Sequence, residues 1–220
     1  IYEYQADWDI NNSSVGSSQS PSISDLILNH ENTIEIVLDH ACNHHGCLSF
    51  QGFKLTGEMP HFVCDALAQY QDSMSQNKDD TSLFFRYLNL SRTQLDFKGL
   101  ECFINSILRY DNTEKPTVTR GLEVFICQGN KGLTKEVCIL LAQLLTRSTS
   151  LKILDFRDNG LSDQGVVTLS SVYSMQISRK SSLLSLQILD LSGNDLSDMA
   201  VLALCRGLTQ CLKTIRYDLH

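Results

Sequence analysis

Nothing in this 220-residue chain forms a basic run: 18 Lys and Arg residues are scattered among 25 Asp and Glu, for a formal net charge of −7. A surface without a positive stripe lacks the electrostatic footprint of nucleic-acid binding, so direct contact with DNA or RNA is not expected. No apolar run approaches the roughly 20 residues that cross a bilayer. Residues 1–20 also lack the basic-then-apolar order of a secretory signal, so the chain reads as soluble and without a membrane partner. It opens with Ile1 rather than methionine, which suggests a processed product or a segment of something longer.

Chemistry-bearing motifs are equally sparse. Gly129-Asn130-Lys131-Gly132 reads as a turn and not as a strand-to-helix phosphate cradle. No nucleophile, base and orienting group fall into an interpretable spacing, and no carboxylates pair in an apolar setting. No catalytic residue and no cofactor are therefore assigned, and the chain is not expected to be an enzyme. Soft metal ligands crowd into His40-Ala41-Cys42-Asn43-His44-His45-Gly46-Cys47. A structural zinc site normally draws two ligand pairs from separated segments, and no second pair follows. This stretch reads as an exposed turn ending in a buried Cys47, with no metal. The eight cysteines mostly sit inside apolar periodic segments, as buried free thiols do in a reducing compartment.

What the chain does have is 42% hydrophobic residues, enough for a core, and internal repetition. The pattern L-x-x-L-x-L-x-x-N-x-L, in which leucines point inward from a short strand and Asn closes the turn, is complete twice. One copy is Leu151, Leu154, Phe156, Asn159, Leu161; the other is Leu186, Leu189, Leu191, Asn194, Leu196. Weaker copies lie at Phe85, Leu88, Leu90, Thr93, Leu95 and at Leu122, Phe125, Cys127, Asn130. A degenerate first copy is Leu48, Phe50, Phe53, Leu55, and a last one starts at Leu212, Ile215, Tyr217. The starts at 85, 122, 151, 186 and 212 are 37, 29, 35 and 26 residues apart, which leaves room for a helix on each return path. Helical spacing is found at Leu100, Phe103, Ile104, Ile107, Leu108, at Val137, Leu140, Leu141, Leu144, Leu145, and at Val201, Leu204, Leu208. Gly99 and Gly165, with Ala200 in the same role, let each helix start lie against its strand.

The predicted fold is an α/β leucine-rich-repeat solenoid, a horseshoe with a parallel β-sheet on its concave side and α-helices on its convex side. Residues 1–22 form a Ser-rich linker or disordered arm, 23–46 an N-terminal cap, and 47–220 about five to six repeats, the last cut off. Polar inserts at 111–119 and 174–182 fall on the rim.

Strand alternation points positions three, five and seven of each unit into the concavity. Position three gives Cys47, Tyr87, Val124, Ile153, Ile188 and Thr214. Position five gives Ser49, Asn89, Ile126, Asp155, Asp190 and Arg216. Position seven gives Gln51, Ser91, Gln128, Arg157, Ser192 and Asp218. An apolar row beside charged side chains projecting into solvent suits a protein interface. The candidate partner-binding set is Tyr87, Asn89, Val124, Ile126, Ile153, Asp155, Arg157, Ile188, Asp190 and Arg216.

At fold level the repeats resemble ribonuclease inhibitor, the Ran GTPase-activating protein, the NOD-like receptors and the CARMIL proteins. A nearer likeness is to the C-terminal leucine-rich region of the Tonsoku-like family. It is carried by Trp8-Asp9, by Leu48-Ser49-Phe50, and by an insert before Leu183-Leu184-Ser185-Leu186-Gln187-Ile188-Leu189-Asp190-Leu191-Ser192. One additional repeat separates the first strand from that insert. The resemblance implies a protein-docking part of a larger nuclear complex in replication-fork and DNA-damage repair. Histone reading in that family belongs to ankyrin repeats, which are absent here, so no histone-binding residue is carried over. The alternative is a cytoplasmic regulator, similar to ribonuclease inhibitor or to the GTPase and actin regulators.

Overall fold

A computed structural model describes residues 46–74, 85–108, 121–133, 136–148, 150–176 and 186–217. All of them lie in one of the chain's two compact units, Ile34–His220; the other is Ile1–Thr33. The linker at 1–22, the 23–45 part of the expected cap and the insert at 111–119 fall outside the described residues.

Five strands alternate with five helices: β1 (Cys47–Ser49), α1 (Met59–Met74), β2 (Tyr87–Asn89), α2 (Phe97–Ile107), β3 (Val124–Ile126), α3 (Val137–Arg147), β4 (Ile153–Asp155), α4 (Asp163–Gln176), β5 (Ile188–Asp190) and α5 (Asp198–Tyr217). The strands form one open sheet in chain order, and every pairing is parallel. Each helix packs on the next one along the chain. This is the α/β leucine-rich-repeat solenoid that the repeat spacing predicts.

Each strand is three residues long because the inward position is its middle one, and a turn follows two residues later. Leu48, Leu88, Phe125 and Leu154 occupy that position and are fully buried against the helices. Phe50, Leu90, Cys127 and Phe156 form the next row, and Leu55, Leu95, Leu133 and Leu161 the row beyond the turn. Phe125 and Phe156 meet edge to face at 5.6 Å. One coil cannot bury such rows alone; stacking makes them a continuous core. The parallel ladder runs past the strands, since the amides of Phe50, Leu90, Cys127 and Phe156 donate to the carbonyls of Asn89, Ile126, Asp155 and Asp190.

The turn asparagines join coil to coil. The side-chain carbonyl of Asn130 accepts from the Thr93 amide (2.9 Å), the Thr93 hydroxyl (3.0 Å) and the Leu95 amide (3.2 Å), all in the preceding coil. Its amide group donates back to the Leu90 carbonyl at 2.9 Å. Asn159 accepts from the Asn130 amide (2.7 Å) and donates to the Cys127 carbonyl (2.7 Å). Asn194 accepts from the Asn159 and Leu161 amides (both 3.0 Å) and donates to the Phe156 carbonyl (2.8 Å). The turns at Asn130 and Asn159 are buried and that at Asn194 half-buried, so each inner amide or carbonyl left unmatched would cost free energy; the asparagines match them.

At Gly99 a Cβ would collide with the Leu95 side chain and stand 3.0 Å from Pro60, the close approach for which a small residue is expected there. Asp96 caps α2 by accepting from the Gly99 amide at 2.8 Å.

Two placements differ from expectation. The copy expected at Leu212, Ile215 and Tyr217 is not a strand, because α5 continues through Tyr217. Leu204, Leu208, Leu212 and Ile215 keep a three-to-four spacing, which sustains a helix as readily as it imitates the start of a repeat. The expected rim insert at 174–182 begins inside α4, which runs to Gln176; residues 177–182 are outside the described set.

Candidate functional site: the open face of the sheet

The face of the sheet turned away from the helices carries the residues flanking each inward one. Pairing places them in two ladders. Cys47, Tyr87, Val124, Ile153 and Ile188 are consecutive Cα partners, as are Ser49, Asn89, Ile126, Asp155 and Asp190. The first is the row expected at position three, and all five of its members are half-buried. The apolar stripe Tyr87-Val124-Ile153-Ile188 thus exists, with each side chain partly covered by its neighbours along the sheet.

The second ladder corrects an expectation. Position five was expected to project into solvent, yet Ser49, Asn89 and Asp155 are buried, Asp155 being only 2% exposed. Position seven folds back over it. The Arg157 guanidinium reaches both oxygens of Asp155, at 3.0 Å from Nε to each and 2.6 Å from Nη2 to Oδ2. The Arg157 amide donates to the same carboxylate at 3.1 Å. Asn89 is closed over likewise, donating to Gln51 at 3.2 Å and accepting from the Ser91 amide at 2.9 Å. A charge cannot be buried unpaired, and a planar two-donor fork is the partner that suits a carboxylate.

Arg157 also faces the next rung, with Nε 3.5 Å from Asp190 Oδ2. The guanidinium is held even more firmly in its charged form by its hydrogen bonds to Asp155, with Asp155, Asp190 and Asp158 adding to the field. Asp190 is half-buried and accepts from the Ser192 hydroxyl at 2.7 Å. Asp155, Arg157 and Asp190 thus form one cluster, bordered by the apolar stripe.

Arg216 is not part of this face. It lies in α5 rather than on a sixth strand, as does Thr214; Asp218 is outside the described residues.

Two rim features lie outside the candidate set. Gln128 donates to Asp158 at 2.9 Å, and Glu123 pairs with Lys152 at 2.7 Å and Arg86 at 3.7 Å. Both link residues of different coils, and parallel register could have exposed them by aligning position two and the turn across units.

Of the cluster expected at His40–Cys47, residues 40–45 lie outside the described set. Cys47 itself is half-buried rather than buried, because it opens β1 on the open face, and burial pushes its thiol up. Among the described residues no three His, Cys, Asp or Glu side chains could hold a metal ion. No described helix is long and apolar enough to cross a membrane. Cys47, Cys102, Cys127 and Cys138 are in no disulfide.

A family model described as Leucine Rich repeat matches residues 147–170 and 182–205, the two coils whose pattern is complete. No curated protein matches the chain. Coil geometry and these matches together support leucine-rich repeats as the building unit of this fold. Such repeats are typically interaction modules that bind other proteins through an extended surface, rather than enzymes.

Proposed function

We propose that the open sheet face docks a protein partner, and that the chain is the docking part of a larger nuclear scaffold in replication-fork and DNA-damage repair. The observation that carries the docking reading is the apolar row Tyr87-Val124-Ile153-Ile188 running beside the Asp155-Arg157-Asp190 cluster. Apolar anchors with a polar surround are how protein interfaces divide binding energy from specificity. The cluster holds two carboxylates against one guanidinium, so a basic group on the partner is the complement this surface favours. The nuclear assignment rests on the family resemblance of Trp8-Asp9, Leu48-Ser49-Phe50 and the 183–192 segment.

The test is affinity capture with the immobilised chain from nuclear and cytosolic extracts, with mass-spectrometric identification of what binds. Val124→Asp combined with Asp190→Lys should reduce capture of a replication-associated protein at least tenfold without altering the circular dichroism spectrum. Ile139→Glu, on the exposed side of α3, should leave it unchanged. Loss of capture with the helix variant but not with the sheet variant would remove the docking reading. Capture confined to cytosolic proteins would replace the nuclear assignment with that of a cytoplasmic regulator.

A further inference from the structure

Away from the sheet, the N-terminal turn of α1 meets the middle of α2 at three reactive side chains. Cys102 Sγ lies 3.4 Å from His61 Nδ1 and 3.7 Å from the Pro60 carbonyl. The buried Cys64 thiol neighbours Cys102 and is the largest influence on its acidity. His61 is exposed and Cys102 half-buried. A sulfur that solvent can reach, a ring nitrogen on one side and a second thiol on the other is an unusual arrangement for a helix layer whose task is packing.

We propose that Cys102 and Cys64 are a peroxide-reactive thiol pair, with Cys102 the attacking sulfur, Cys64 the resolving one and His61 the positioning base. The substrate class is a small hydroperoxide. In the first step His61 Nδ1 takes the Cys102 proton and the thiolate attacks the terminal peroxide oxygen. An S–O bond forms, the O–O bond breaks, the departing oxygen takes the proton from His61, and Cys102 becomes a sulfenic acid, oxidised by two electrons. In the second step the Cys64 sulfur attacks that sulfur, the S–OH bond breaks, and hydroxide combines with the Cys64 proton to leave as water. Two thiols and one hydroperoxide give one disulfide, one alcohol and one water; for hydrogen peroxide, two waters.

The surroundings favour the first step. Hydrogen bonding from Cys64 is the largest influence on Cys102; burial and the nearby Asp65 oppose it, while the charge and hydrogen bond of His61 assist it, and the thiol comes to about 7. A thiol that ionises near neutrality combines a large thiolate fraction with retained nucleophilicity. The buried thiols Cys127 and Cys138 are pushed the opposite way by desolvation, so they serve as internal controls. A disulfide of roughly 2.05 Å between the two sulfurs would tie α1 to α2.

The test uses the full chain under one equivalent of hydrogen peroxide, followed by alkylation and peptide mapping. A Cys64–Cys102 disulfide should form ahead of any product at Cys205, the exposed thiol in α5. Iodoacetamide should label Cys102 several-fold faster than Cys205 at neutral pH, with a rate midpoint at about pH 7. His61→Gln, a change at an exposed position, should move that midpoint upward. Cys64→Ala should halt the reaction at a sulfenic acid on Cys102, captured by dimedone. The proposal falls if Cys205 oxidises first, if Cys102 labelling shows no midpoint near neutrality, or if the disulfide pairs other cysteines. Each of these readouts on the unmodified chain stands even should Cys64→Ala fail to fold.

Discussion

Asp155 and Asp190 are partners in register with unlike surroundings, and they should respond differently to substitution. Asp155 is buried under Arg157, so Arg157→Ala leaves a carboxylate without its counter-ion and should destabilise by about 3 kcal/mol, the lower end expected for a broken buried pair. Asp155→Lys should prevent folding, contrary to the expectation that the charged side chains of this face project into solvent. Asp190→Lys should be tolerated, since Asp190 is half-exposed. Urea titrations of the three variants give the comparison. The asparagines form a second series. Asn130→Ala and Asn159→Ala each strand buried amides and should cost about 1–3 kcal/mol, and Asn194→Ala should cost less because its surroundings are half-open; equal midpoints for all three in the same titration would refute the ladder as a source of stability. At this scale the sequence identified which residues share a face, because alternation has a fixed period of two. It did not foretell the burial of Asp155, which depends on a neighbour two positions on curling over it.

Elements were legible where apolar spacing was dense. The strand register follows from the repeat pattern, and α2 and α3 from leucine and isoleucine rows. Helix α1 carries little periodic signal, since its buried positions include small residues such as Ala66 and Ala68, and its second residue is Pro60, tolerable only in a first turn. The error at the other end has the opposite cause, one spacing serving two structures. The meeting of His61, Cys64 and Cys102 was invisible because it joins residues of separate coils, and helix-on-helix contact has no sequence period. Helix α3 supplies a pH-dependent prediction. Burial pushes the Cys138 thiol up from 9.0 to about 12. The unfolded chain therefore loses that proton first: the contribution to stability is full below about pH 9 and declines from there toward about pH 12. Cys138→Ala should flatten this part of the alkaline decline in denaturation midpoint, whatever its effect on stability at neutral pH. Gly99→Ala at the start of α2 should destabilise by about 1–3 kcal/mol through overpacking against Leu95 and Pro60, seen as a lower thermal midpoint.

For the whole molecule, the core thins along the stack. Leu154 and Leu161 are fully buried, whereas their counterparts Leu189 and Leu196, together with Leu186 and Leu204, are only partly so. Stability in a stacked array is a sum of coil and interface contributions, so amide exchange should be slowest in β2 to β4 and fastest around β5 and α5. Uniform protection across the five coils would contradict this gradient. The asparagine ladder also has a polarity: every turn described as capped receives its cap from the coil that comes later in the chain. A ribosome delivers the chain in the other order, so each coil leaves the exit tunnel with its turn amides open and is completed when its successor arrives. Folding during synthesis would then trail by one coil, and truncation after residue 185 would expose the amides of Asn159 and Leu161 to exchange while leaving that of Asn130 protected.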